Sequence, residues 1–144
     1  MKRLKSERGA ALLEAAITIP MLLLIAVGIF EFGRAFQTWQ ILTNAAREGA
    51  RIAVLPSGTD TAVEERVRDY LAAGQLPQAA DASVSVNRSA TLTVNGATVS
   101  ASQVTVSYPF EFQWLQPVMQ LVGSAGPDGM VAMSAQALMR NETQ

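Results

Sequence analysis

The sequence predicts an α+β protein that is held in a membrane by a long N-terminal helix. Three observations carry this prediction. An apolar run with one formal charge covers residues 10–30, apolar residues then recur at helical spacing as far as Leu71, and after Ala82 the spacing changes to every second residue. We therefore expect a first helix with a membrane half and a soluble half, one further helix, and a small antiparallel sheet of about four strands.

The apolar run is long enough to cross a bilayer, because about 20 helical residues at ~1.5 Å each span a hydrocarbon core of ~30 Å. We assign residues 1–9 to a basic leader, residues 10–36 to the transmembrane segment and residues 37–144 to the head with the soluble half of the helix. Pro20 lacks a backbone donor and weakens the helix locally. A cleaved secretory signal is the alternative, but no clear small-x-small cleavage site follows the run before Glu31 and Arg34.

The orientation follows from charge. The leader has more basic than acidic residues, and the positive-inside rule places such an end in the cytoplasm. The expected location is therefore the inner (cytoplasmic) membrane, crossed once, with the head on the extracytoplasmic side. Glu14 lies near the start of the span, where an unpaired carboxylate costs a few kcal/mol, so we interpret it as a functional residue.

The soluble half of the first helix carries a stripe of small residues. Ala45, Ala46, Gly49 and Ala50 fall on one side, which predicts close packing against another element. Glu31 and Arg34 are three residues apart and are expected to pair. The aromatic residues near the membrane exit are expected either at the bilayer interface or against the head. They are Phe30, Phe32, Phe36 and Trp39.

The head begins with a second helix. Thr61 and Glu64 have the spacing of a capping box, and Gly74 and Pro77 follow the apolar stretch that ends at Leu71. Asn95-Gly96 then predicts a hairpin turn. The expected strand segments are 83–86, 92–94, 103–112 and 130–140, the last favoured over a helix. Residues 114–122 are expected to form a short helix or turn, and residues 124–129 a loop.

Pro109 suggests that its strand lies at an edge or ends nearby. We expect edge strands and apolar surface near residues 108–115 to recognise another protein.

Composition argues against several function classes. The net charge is −1, which does not suit nucleic-acid binding. The chain has neither Cys nor His, so disulfides, the commonest metal ligand and His-dependent triads are excluded. We find no motif for a phosphate-binding loop, a dinucleotide site or a nucleophile elbow. The expectation is a protein that is not an enzyme and needs no cofactor or metal.

Several segments resemble the TadE-like pseudopilins of tight-adherence (Flp-type) pilus assembly. The resemblance is firm from Arg8 to about Leu55 and loose in the head. The segments that carry it are Arg8–Gly9 with Glu14, the apolar run with Pro20, Gly28–Arg34, Ala45–Arg51, Val104–Pro109 and Leu138–Glu142.

The resemblance implies a pilin-like fold and a minor pilin (pseudopilin) that contributes to assembly or priming of a type IV pilus. It also implies cleavage by a prepilin peptidase between Gly9 and Ala10, pairing of Glu14 with the new amino terminus of a neighbouring subunit, and contacts with other pilins and the assembly platform. The alternative is a membrane-anchored extracytoplasmic binding or regulatory domain that never enters a filament.

Overall fold

Helix α1 runs from Arg3 to Ala53 without interruption in the computed structural model, which describes residues 3–94, 96–116 and 130–142. Its 51 residues correspond to a length of about 77 Å. Within the described residues, this is the helix that is long and apolar enough to cross a membrane, and no residue of its most apolar part is buried by the rest of the protein. The arrangement is consistent with a single-pass membrane anchor, and Pro20 lies inside the helix.

The remaining elements form the head. Helix α2 spans Asp60–Ala73, a 3-10 turn spans Ala79–Asp81, and three strands follow as β1 (Ser83–Val94), β2 (Ala97–Glu111) and β3 (Met130–Arg140). The sheet is antiparallel, with β2 between β1 and β3. The α+β class and the long N-terminal helix are confirmed.

Within the described residues the sheet has three strands, where about four were expected. The segments 83–86 and 92–94 belong to one strand, β1, because a bulge joins them. Asn87 pairs with Gln103 and Ala90 with Ala101, so two residues of β1 face one residue of β2. Such a bulge interrupts the alternating pattern, and two short runs then look like separate strands.

The other expectations for the head have mixed outcomes. Residues 130–140 form a strand, as favoured, and a tight turn at Gly96, whose φ is 81°, joins β1 to β2. Asn95 and residues 117–129, which include most of the expected helix and loop, lie outside the described residues. The capping-box prediction is wrong, because α2 begins at Asp60 and Thr59 is its N-cap, accepting a hydrogen bond from the backbone of Ala62.

Pro109 is accommodated because β1 begins opposite Ser107. At Pro109, β2 therefore pairs with β3 but not with β1, and the missing backbone donor does not interrupt a central ladder.

The core lies where the soluble half of α1 packs on β2 and α2. A Cβ atom built on Gly49 would lie 2.7 Å from Val67 Cγ2 of α2 and 3.2 Å from Val104 Cγ1 of β2. Glycine is thus required for this close approach. The small residues Ala45, Ala46 and Ala50 are fully buried on the same side of the helix.

We predict that Gly49→Leu lowers the free energy of unfolding of the head by about 1–3 kcal/mol, because the added side chain overpacks the contact with Val67 and Val104. The control is Arg47→Leu, two residues away on the exposed side of α1. Urea unfolding of the full chain in detergent micelles measures both. Equal stability of the two variants would contradict this packing.

Candidate functional site

The Gly9–Ala10 junction at the end of the leader and Glu14 lie on the part of α1 that the head does not cover. Gly9 and Ala10 are helical and exposed, and nothing lies within 4 Å of a Cβ built on Gly9. Glu14 is also exposed, so its carboxylate is accessible to a group outside this chain. The predicted processing and assembly residues therefore lie on one exposed stretch of the helix, whereas the packing residues Ala45, Ala46, Gly49 and Ala50 are buried in the head.

The junction between the membrane half of α1 and the head is centred on Glu31. Its side chain is fully buried. One carboxylate oxygen accepts a hydrogen bond from Arg34 Nη1 at 2.9 Å, and the other accepts one from the backbone N–H of Trp114 at 2.7 Å. Both oxygens of a buried charge are thus satisfied, which is the condition for burying it without a large penalty. The expected pairing of Glu31 with Arg34 is present.

Arg34 extends this junction to strand β2. Its Nη2 donates to the backbone carbonyl of Glu111 at 3.3 Å, and its guanidinium carbon lies 5.3 Å from the centroid of the Phe110 ring. The ring thereby provides a cation–π contact. Because Glu31 binds the backbone just after β2 and Arg34 binds the last residue of β2, α1 is fixed to the end of the sheet nearest its apolar part.

The aromatic residues around the junction are divided between exposed and buried positions. Phe32 and Trp114 are 67% and 66% exposed, whereas Tyr108 and Phe110 are almost completely buried. The expected interaction surface at residues 108–115 is therefore wrong for Tyr108 and Phe110, which lie on the middle strand and face the core. Trp114, beyond the end of β2, keeps an exposed ring.

A second cluster holds the opposite end of α1 and involves a residue that sequence reasoning missed. Arg88, at the bulge of β1, donates to the carbonyl oxygens of Ala53 at 2.7 Å and Gly58 at 2.9 Å and to the Asp60 carboxylate at 2.9 Å. It satisfies a terminal carbonyl that the helix itself leaves unpaired. Its signal in the sequence was a charge at an inward position of an alternating strand, next to Val84 and Val86.

The C-terminal residues complete this second cluster. Ser102 Oγ donates to Asn141 Oδ1 at 2.7 Å, and the backbone N–H of Glu142 donates to the carbonyl of Val54 at 3.3 Å. The last described residues are thereby tied to the end of α1.

A cleft of about 340 Å³ opens beside the junction, between α1, the end of α2 and β2. Gln78 contributes a buried Oε1 that has no hydrogen-bond partner among the described residues, and its backbone N–H donates to the Tyr108 hydroxyl at 3.4 Å. The cleft is lined by amide and hydroxyl groups together with the ion-paired Arg34 and with Glu111, and these groups can donate and accept hydrogen bonds. The polar lining residues include Arg34, Gln37, Thr38, Gln75, Gln78 and Tyr108.

Helix α1 contains the main features that were inferred from the sequence. They are the Gly9–Ala10 junction, Glu14, the apolar span, Glu31 and the small-residue stripe. A family model described as TadE-like protein matches residues 9–51. This segment is TadE-like. No curated protein and no solved structure gives a significant match to the chain.

The TadE-like match begins at Gly9 and ends at Arg51, so it covers almost all of α1 and stops before α2. Glu31 and Arg34 are inside the TadE-like segment, but their partners Trp114 and Glu111 are outside it. The family match therefore covers helix α1 and does not extend to α2 or the sheet.

We predict that Glu31→Ala lowers the free energy of unfolding by about 3 kcal/mol, the low end for breaking a buried ion pair, because Arg34 is partly exposed and regains some water. The control is Glu48→Ala, which removes exposed pairs with Arg51 and Arg66 and is expected to change stability by less than about 1 kcal/mol. Urea unfolding followed by tryptophan fluorescence measures both. A Glu31 variant as stable as the control would contradict a structural role for the junction.

Proposed function

We propose that this protein is a minor pilin (pseudopilin) of a tight-adherence pilus machine, inserted in the inner membrane by α1 and contributing to assembly or priming of the filament. One observation carries the proposal. A single uninterrupted helix contains, in order, the Gly9–Ala10 junction, Glu14, the apolar span and the packing stripe, and the TadE-like match coincides with it.

The chemistry of Glu14 supports an assembly role. A carboxylate in hydrocarbon is stabilised mainly by a cation, and Glu14 is exposed on α1 where a neighbouring subunit could approach it. Cleavage after Gly9 would create a new cationic amino terminus on each subunit. The proposal pairs that terminus with Glu14 of the next subunit, which would align the helices of adjacent subunits in the membrane.

The proposal assigns the protein a structural role. It includes no enzymatic activity, cofactor or metal, and its partners are the membrane, the prepilin peptidase, other pilins and the assembly platform. The head is proposed to lie outside the inner membrane, since the basic leader favours the cytoplasm.

We predict that, in cells with the pilus machinery, the mature chain begins at Ala10 and that Gly9→Val blocks this processing. The reason is the bulk of valine beside the scissile bond. The control is Gly28→Val, on the same helix, where an added side chain also has open space. Intact-mass measurement of the purified membrane protein distinguishes the forms. Full-length wild-type protein in a piliated strain would overturn the processing claim and favour the anchored-domain alternative.

We predict that Glu14→Ala inserts normally but reduces the number of pili at least tenfold, because insertion becomes easier while the charge partner is lost. Thr18→Ala, one turn further along α1, is the matched control and is expected to leave piliation unchanged. Immunoblots of membrane fractions verify equal amounts, and electron microscopy counts the filaments. Normal piliation with Glu14→Ala at wild-type abundance would exclude a pairing role for Glu14.

A further inference from the structure

Strand β2 runs opposite to α1 and brings the chain back to the membrane-proximal end of the head. Ser102 lies beside the Ala53 carbonyl, and the Glu111 carbonyl lies beside Arg34. The helix rises about 28 Å between Arg34 and Ala53, and the strand covers about 31 Å between Ser102 and Glu111. The two segments therefore have nearly the same length and run side by side over it. The residues that follow Glu111 must therefore approach the membrane half of α1.

The level of Trp114 along α1 is fixed by its hydrogen bond to Glu31. Glu31 follows directly after Phe30, the last residue of the apolar run, and one helical residue rises about 1.5 Å. Glu31 and Arg34 lie within the segment 10–36 assigned to the membrane, but both already contact the head, so we place the end of the lipid-embedded span at Phe30. The backbone of Trp114 thus lies at the boundary of the span. Its indole is 66% exposed, and the nearby Phe32 ring contacts Phe112 edge to face at 6.4 Å.

The bend after β2 has the composition of an interfacial segment. Residues 112–116 are Phe-Gln-Trp-Leu-Gln and carry no formal charge. Tryptophan prefers the headgroup level of a bilayer, where the ring meets lipid and the N–H meets water. Of the charges near the bend, Glu31 and Arg34 are paired with each other, whereas Glu111, directly before Phe112, is half-buried and forms no ion pair within the described residues. The bend is therefore suited to the headgroup layer, where water reaches a carboxylate, and not to the hydrocarbon core.

Trp39 provides an internal reference, because it lies too far along α1 to share this position. It is nine residues beyond Phe30, a rise of about 13 Å, whereas the headgroup layer is only about 5–8 Å deep on each side of the core. Trp39 is also exposed and packs against Phe36 at 6.1 Å between ring centroids. The two tryptophans of the chain therefore lie at different heights along α1, measured from the end of the apolar run.

We propose that the bend at residues 112–116 docks into the lipid headgroup layer through Trp114, so that the head sits directly on the bilayer surface. The inference rests on the membrane insertion of α1 in the proposed function. The buried Glu31 carboxylate sets the depth of the bend, because it holds the Trp114 backbone at the first residue beyond the span.

The test measures how strongly spin-labelled lipids quench tryptophan fluorescence in the full-length protein, reconstituted in phosphatidylcholine–phosphatidylglycerol vesicles. Trp39→Phe leaves Trp114 as the reporter, and Trp114→Phe leaves Trp39. A third variant carries Trp39→Phe, Trp114→Phe and Leu24→Trp and reports the span itself. Spin labels are placed either near the headgroup or deep in the acyl chains. We expect the shallow label to quench Trp114 at least threefold more than Trp39, and the deep label to quench the residue introduced at Leu24.

The outcomes separate the two proposals. Strong quenching of the Leu24→Trp reporter, with Trp114 quenched no more than Trp39, would overturn the docking of the bend and leave the anchor intact. Deep quenching of Trp114 would also overturn the headgroup position. Absence of quenching at the Leu24→Trp reporter would overturn membrane insertion, and the docking proposal with it.

Discussion

The buried Glu31 carboxylate is the interaction on which the arrangement of this molecule depends. On its N-terminal side, α1 exposes large apolar side chains around its whole circumference, and on its C-terminal side the same helix buries small ones against α2 and the sheet. These two surfaces require different surroundings. Glu31 marks the change, and through Arg34 and Trp114 it joins the membrane half of the helix to the end of β2.

Helix α2 and the three described strands of the head in turn all make contacts with α1. Gly49 admits α2 and β2 so closely that a single Cβ would collide with Val67. Arg88 binds the carbonyl of Ala53, and Glu142 binds that of Val54, so the chain's last described residues also depend on α1. Because helix and head are held at both ends, a change in the orientation of the membrane segment is expected to move the head as a body.

Local patterns in the sequence predicted most of the elements, and contacts between distant residues account for what was missed. The apolar run, the small-residue stripe and the i,i+3 spacing of Glu31 and Arg34 are readable because each lies within one helix. The second partner of the Glu31 carboxylate is the backbone N–H of Trp114, 83 residues away, which no local pattern reveals. The strand count was wrong because the bulge at Arg88 divides one strand into two apparent runs, and the cap at Thr59 was assigned two residues too late.

The central claim is that α1 is one rigid helix from the membrane span into the head, and a distance across the junction tests it most directly. The chain has no cysteine, so spin labels can be attached at Leu12→Cys and Gln37→Cys, both exposed positions on nearly the same side of the helix. These positions enclose Pro20, Gly28, Gly33 and Glu31. Pulsed electron spin resonance on the full chain in lipid is expected to give one narrow distance distribution centred near about 38 Å, the rise of a continuous helix. A broad distribution, or one centred several ångströms shorter, would contradict the account by showing a hinge between the membrane half and the head.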